Sequence, residues 1–524
     1  MTISQAVQIH KTFAKKEINM KRTVFAIVSF MLAVCMLQGC SPAKNGDGLF
    51  YNPSMGYYDE AEAPSYSYDE VKENGFTVAE VKNSSTFSLD RNTTGYSIAR
   101  RQINGGMKIS ADSVRVEEYV NYFSYSYPEP TDGKPLAISG KLFDCPWNAE
   151  NKLFTVGVSA KQIDFTDKKQ NNLVFLIDVS GSMFGSDRLG LIQNAFTMLA
   201  NNLADNDVVS IVTYAGSTKV VAEGLNGTQK SQICNVLQDL SASGSTAGAS
   251  GIQLAYKVAE KYFIQGGNNR VMLATDGDFN VGISNKNQLN EFISAKRDTG
   301  IYLSVFGVGM GNTRDDIMET LAKNGNGNYG YLDSITEARK LLVSEMGGTL
   351  ETVAKDAKIN VTFNADKVEK FRLIGYENKM MSEDDFNDEN KDAGEIGSGH
   401  TVTAVYEIKL KDGTAENAGN ETLAEFASAK IKCKDPDSNE NIEIDKSFDF
   451  DLYTATPDED GAFIACVTEF GLLLRESQYK GTASWQGLLS RLTNLTSVNG
   501  ANADEFRAEF LELVKKAQTI YSAQ

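Results

Sequence analysis

Asp178, Ser180 and Ser182 stand at alternate positions in the stretch Leu173–Met183, LVFLIDVSGSM, and each carries oxygen. An oxygen-only set of this kind suits a hard divalent cation, Mg2+ first, with Mn2+ or Ca2+ held by the same chemistry. Two later loops can complete it. Ser243–Thr246 precedes a helical stretch and brings the Thr246 hydroxyl, while Thr275–Asp278 follows an apolar run and brings Asp276. Asp178 and Asp276 supply negative charge; Ser180, Ser182 and Thr246 supply neutral oxygens. A six-coordinate ion would then keep one or more water-filled positions, and such a position admits an incoming carboxylate.

The elements that must place these residues follow from the pattern around them. Leu173–Ile177 is a short apolar run, which reads as a central strand buried on both faces. Its carboxyl end is where open α/β sheets hold their ligands, and Gly181 lets the chain turn tightly there. Downstream the periods alternate. Helices are expected at Leu189–Leu203, Lys230–Leu237, Ala249–Phe263, Asn287–Arg297, Asp315–Lys323 and Thr336–Leu350. Strands are expected at Asp207–Tyr214, Arg270–Thr275, Ile301–Gly307 and Asn328–Leu332. This is a doubly wound, Rossmann-like domain over residues 169–350.

On either side the pattern changes. Residues 76–168 read as an α+β flank with a short strand at Ser85–Leu89, helices at Ser97–Asn104 and Ser113–Phe123, and strands at Leu136–Phe143 and Leu153–Ser159. The second helix is expected to place Val114, Val116, Tyr119, Val120 and Phe123 on one side and to turn Glu117 and Glu118 outward. Residues 351–524 begin with strands at Ala357–Phe363, Val368–Tyr376, Gly399–Leu410, Ala427–Lys434 and Glu443–Phe450, which suggest an antiparallel sandwich. Helices at Ala462–Glu476, Trp485–Leu492 and Ala503–Ala523 close the chain, and their apolar stripes need one another or the sheets. The fold class is therefore multidomain α/β.

The chain has 524 residues, too many for one core, with 41% hydrophobic and 23% charged residues. Its formal net charge is −18, and no Lys/Arg cluster stands out, which argues against nucleic acid as a partner. Only two histidines occur, His10 and His400, so a multi-histidine zinc site is excluded in the mature chain. Lys21-Arg22 precedes an apolar run, Val24–Leu37, and then Gln38-Gly39-Cys40. This reads as a secretory signal with a lipobox over residues 1–40, with Met20 an alternative start and Cys40 the lipidated residue. Residues 41–75 read as a tether rich in Gly, Pro, Ser, Tyr and acidic residues. The protein is thus expected outside the cytoplasm, anchored by lipid to the cell or outer membrane. No acidic cluster follows Cys40 in residues 41–46, which favours the periplasmic side over the cell surface. Cys145, Cys234, Cys433 and Cys466 lack metal-knuckle spacing; as disulfides they would allow three full pairings, and buried free thiols are the preferred reading.

Catalytic readings find less support. There is no GxxxxGK phosphate loop and no GxSxG elbow around Ser182, and His400 lies far off in a strand-like segment. A metal-dependent phosphatase or nuclease ordinarily wants denser carboxylates or a second metal.

DVSGS at Asp178–Ser182, GSTAG at Gly244–Gly248 and TDGDFN at Thr275–Asn280 resemble the three loops of a von Willebrand factor type A domain with its metal-ion-dependent adhesion site. That resemblance implies direct coordination by Ser180, Ser182 and often Thr246, with Asp178 and Asp276 often acting through water; Asp278 and Asn280 stay at the rim. The likeness continues through Ser85–Ile103, Val114–Pro128, Arg372–Met381 and Glu469–Trp485, which are similar to bacterial von Willebrand A proteins of the YfbK type. Where those relatives carry an acidic pair, Arg91-Asn92 stands here, which speaks against a second cation site in the flank. The function expected is non-enzymatic: a lipid-anchored envelope module that grips an acidic group of a partner protein through its cation. A structural scaffold with a merely stabilising metal, and a metal-dependent hydrolase, are the alternatives.

Overall fold

Strand Asn171–Asp178 is buried along its whole length and lies at the middle of a six-stranded sheet. The computed structural model describes residues 71–163, 169–244, 248–277, 286–309, 315–345, 351–412, 424–501 and 503–522. The sheet order is Tyr329–Tyr331, Ile301–Gly307, Asn268–Thr275, Asn171–Asp178, Val208–Tyr214 and Thr218–Asn226. The first five strands run parallel, and the last turns back antiparallel as an edge. Apolar side chains alternate between two cores, one under each face. Leu173, Phe175 and Ile177 pack with helix Leu189–Asn201, whereas Val174 and Leu176 pack with helix Gly248–Lys261. This is the doubly wound arrangement that the alternating periods require. The edge strand Thr218–Asn226 is an addition to the sequence reading, for its side chains are mostly exposed and carry no inward period.

The strands before and after this domain form one sandwich. One sheet runs Thr77–Val78, Val368–Ile374, Thr401–Leu410, Lys152–Ala160, Leu136–Asp144 and Tyr453–Thr454. The other runs Gly394–Gly397, Thr352–Phe363, Glu425–Lys434 and Asn441–Asp449, and Ser84–Ser88 also pairs with Thr352–Phe363. Phe154 of the first sheet meets Phe448 of the second at 5.0 Å, and Tyr406 meets Phe363 at 5.2 Å, both edge to face. Flank and C-terminal region, distinct in sequence, thus share sheets and a core.

The helices do likewise. Thr94–Asn104 and Val116–Tyr122 of the flank pack with Glu459–Leu474, Trp485–Thr493 and Glu505–Ser522 around Phe123, Phe463, Phe470 and Phe510. The expected outward placement of Glu117 and Glu118 is wrong: they are 3% and 7% exposed. Glu118 Oε2 accepts from Gly95 N at 2.7 Å, and Glu117 packs against Gly375, where a Cβ would come within 2.5 Å of Glu117 Oε2. Burial raises both carboxyls, that of Glu118 to about 8. The helix has a second covered face, which period alone did not reveal.

Buried charges hold the central domain to this frame. The Arg100 guanidinium, 1% exposed, reaches Asp333 at 2.6 Å, Glu337 at 2.7 Å and Glu509 at 3.1 Å, and donates to Tyr122 Oη at 2.7 Å. Cys145, Cys433 and Cys466 are buried free thiols, and Cys234 is a half-buried one. Among the described residues no helix is long and apolar enough to cross a membrane. The expected leader, residues 1–40 with Cys40, lies outside the described residues.

Candidate metal centre

The first loop is fixed by the sheet that ends beneath it. Val179 N donates to Tyr214 O at 3.0 Å, prolonging the pairing one residue past Asp178, and the chain then closes a 3-10 turn at Gly181–Met183. Asp178 is fully buried. Its Oδ1 accepts from Ser180 N at 2.9 Å and its Oδ2 from Thr275 Oγ1 at 3.2 Å; the Tyr214 hydroxyl lies against the same carboxylate. Ser180 Oγ and Ser182 Oγ are 3.0 Å apart. Two oxygens at right angles around Mg2+, each about 2.1 Å from it, are also separated by about 3.0 Å, so the pair suits adjacent positions of one octahedral shell.

The second loop leaves from the first. Ser243 N donates to Val179 O at 2.7 Å, and Gly181 N donates to Gly244 O at 2.9 Å. Gly244 takes a φ of +82°, which bends the chain sharply at the site and favours glycine. Thr246, two residues on, lies outside the described residues, as do Asp278 and Asn280.

The third loop begins at Thr275, whose strand pairs in parallel with the opening strand. Asp276 is 8% exposed, and Gly277, at a φ of +94°, donates to Thr275 Oγ1 at 3.3 Å. Burial, with Asp276 adding to it, pushes the Asp178 carboxyl above its ordinary range. A bound divalent cation would reverse that balance. Arg188 already offers one positive charge: its Nη1 is 4.0 Å from Asp276 Oδ2 and also donates to Ser182 O. The described residues hold no group of three or more His, Cys, Asp or Glu side chains able to bind a metal ion. A shell here would rest on hydroxyls and water beside the two carboxylates.

The structure thus brings Asp178, Ser180, Ser182 and Asp276 to one edge of the sheet. Sequence reasoning missed Tyr214, Arg188 and the role of Thr275. Thr275 had a signal, a hydroxyl at a strand end directly before Asp276. Arg188 had none, since its reach back to the loop depends on the turn at Gly185, with a φ of +139°. His400 belongs to the sandwich, where its carbonyl accepts from Ala160 N at 2.9 Å.

Known proteins bear on this arrangement. Residues 172–343 match the von Willebrand factor type A domain, residues 62–155 match a model described as von Willebrand factor, and residues 348–520 match the C-terminal domain of uncharacterized protein YfbK. Uncharacterized protein YfbK of Escherichia coli K12 is 38% identical over 457 residues, covering 83% of this chain and 78% of the relative. Among solved structures, a von Willebrand factor type A protein from Catenulispora acidiphila is 14% identical with a TM-score of 0.39, covering 75% of this chain and 91% of that one. Proximal thread matrix protein 1 of the mussel byssus, solved with a zinc-occupied MIDAS motif, is 18% identical with a TM-score of 0.29, covering 34% of this chain and 45% of that one. Von Willebrand factor type A domains commonly act as metal-dependent protein-interaction modules. With most of a relative's length matched and its C-terminal domain shared, the chain belongs to the YfbK family of von Willebrand factor type A proteins.

Proposed function

We propose that this protein is a metal-dependent protein-binding module of the bacterial cell envelope, anchored by lipid at Cys40 and facing the periplasm. Mg2+ is the ion that best fits the spacing, with Mn2+ and Ca2+ as substitutes. When bound, the ion supplies a Lewis-acid position at which a carboxylate can complete the shell. Ser180 and Ser182 would hold it directly with Thr246, while Asp178 and Asp276 act through water. The observation that carries this reading is the 3.0 Å separation of the two serine hydroxyls above a buried carboxylate. A divalent ion set against Asp178, Asp276 and Arg188 leaves roughly one positive charge at the site, which draws an acidic group.

Binding rather than hydrolysis is favoured because, among the described residues, Ser182 Oγ pairs with Ser180 Oγ and not with a base. The test is capture of a partner from a membrane extract by the full chain, with and without EDTA and with Asp178→Ala. Capture abolished in both cases supports the reading, and unchanged capture in both sinks it.

The buried Arg100 cluster favours a second reading, a scaffold in which the metal only steadies the top of the sheet. Melting curves with and without Mg2+ separate the two. A large thermal gain without any metal-dependent partner points to the scaffold.

A further inference from the structure

Phe184 is 81% exposed, although it follows the turn that carries both serine hydroxyls. Its backbone is held there, for Phe184 N donates to Gly181 O at 3.2 Å and the preceding Met183 is fully buried. A single exposed apolar side chain is ordinary on a protein surface. This one stands two residues from Ser182, on backbone held by the turn Gly181–Met183 and by the Gly181 N to Gly244 O bond. The Arg188 guanidinium, bonded to Ser182 O, gives the same rim a positive group.

We propose that Phe184 is a specificity residue of the metal centre, and that the partner segment carries a large apolar or aromatic side chain next to the acidic residue it offers. The carboxylate would take the open position, and its neighbour would cover the Phe184 ring. Aromatic and apolar groups that lose water at the centre of an interface commonly supply much of its affinity. This inference rests on the metal-dependent reading above.

The test uses two dye-labelled six-residue peptides, each with one aspartate, flanked in one by phenylalanine and in the other by serine. Their affinity for the full chain is measured by fluorescence anisotropy in Mg2+ and in EDTA, for the natural protein and for Phe184→Ser. Calorimetric Mg2+ titration of the variant, expected to match the natural protein, shows that the centre is intact. The phenylalanine peptide is expected to bind about tenfold more tightly than the serine peptide in Mg2+, and the ratio to fall to about one in Phe184→Ser. Equal binding of the two peptides by the natural protein, or an unchanged ratio in the variant, overturns the role of Phe184 alone. Discrimination that depends on Phe184 but persists in EDTA overturns the metal-dependent reading and keeps the apolar contact. If neither peptide binds, both ideas fall.

Discussion

Arg91 and Glu345 form a bidentate ion pair, with Nη1 2.7 Å from Oε2 and Nη2 2.8 Å from Oε1, between the flank and the last turn of the von Willebrand factor type A domain. The side chains are 7% and 14% exposed. Arg91 Nε also donates to Asn121 O, and Lys340 approaches Glu345 at 3.2 Å. Arg91 is therefore a clamp between two parts of the chain. Removing one partner from such a pair leaves a charge in low dielectric. Arg91→Met is expected to cost about 3 kcal/mol in denaturant unfolding. A double-mutant cycle with Glu345→Gln is expected to show a coupling of about 2 kcal/mol. A coupling near zero would show that the pair is incidental.

Glu395 provides a pH test. Burial, with Asp356 and Asp392 adding to it against Lys355, raises its carboxyl to about 8. The folded state therefore holds a proton that the unfolded state has released between about pH 4.5 and pH 8. Its contribution is full at acid pH and is lost as pH rises through that window. The melting temperature of Glu395→Gln is expected to gain on that of the natural protein as pH goes from 5 to 8.5. Parallel curves would refute the placement.

His400 works in the opposite direction. Burial, with Arg91 and Lys340 nearby, lowers it to about 3. A histidine kept neutral in the fold but charged when unfolded removes stability as pH falls from about 6.5, by at most about 1.4 kcal/mol per pH unit. His400→Asn is expected to flatten that acid limb in urea titrations at pH 4 to 7. A limb of unaltered slope would assign the acid sensitivity elsewhere.

Thr275 donates to Asp178 and Gly181 N donates to Gly244 O of the second loop, so each would position the proposed ligands without being one. Thr275→Val is expected to weaken Mg2+ affinity about tenfold with the fold intact, as losing a partner of a metal ligand commonly does. Gly181→Ala would set a Cβ 3.3 Å from Gly244 O, so the loops must part by a few tenths of an ångström. A loss of Mg2+ affinity several times larger than the accompanying change in stability is expected. Unchanged affinity in both variants would mean that these contacts do not organise the centre.

Much of this was legible in the chain itself. Asp178, Ser180 and Ser182 announced themselves because a buried run must end in a turn, and that turn lies where doubly wound sheets open. The parallel strands were legible because both faces are covered, which forces continuous apolar runs such as Val271–Ala274. Strand Thr218–Asn226 was not, because its outward side chains need no period. The shared sandwich was not either, since Lys152–Ala160 pairs with Thr401–Leu410 across the whole central domain and no local signal marks that partner. Glu117 and Glu118 misled for a related reason: their cover comes from Gly95 and Gly375, which only tertiary folding brings to them.

The decisive measurement is calorimetric titration of the metal-free full chain with Mg2+ alone, beside Asp178→Ala and the double variant Ser180→Ala, Ser182→Ala. One ion per chain bound by the natural protein, and none by either variant while their circular dichroism stays native, is the expected result. Absence of Mg2+ binding by the natural protein, or undiminished binding by the double variant, would contradict a metal centre at the end of strand Asn171–Asp178.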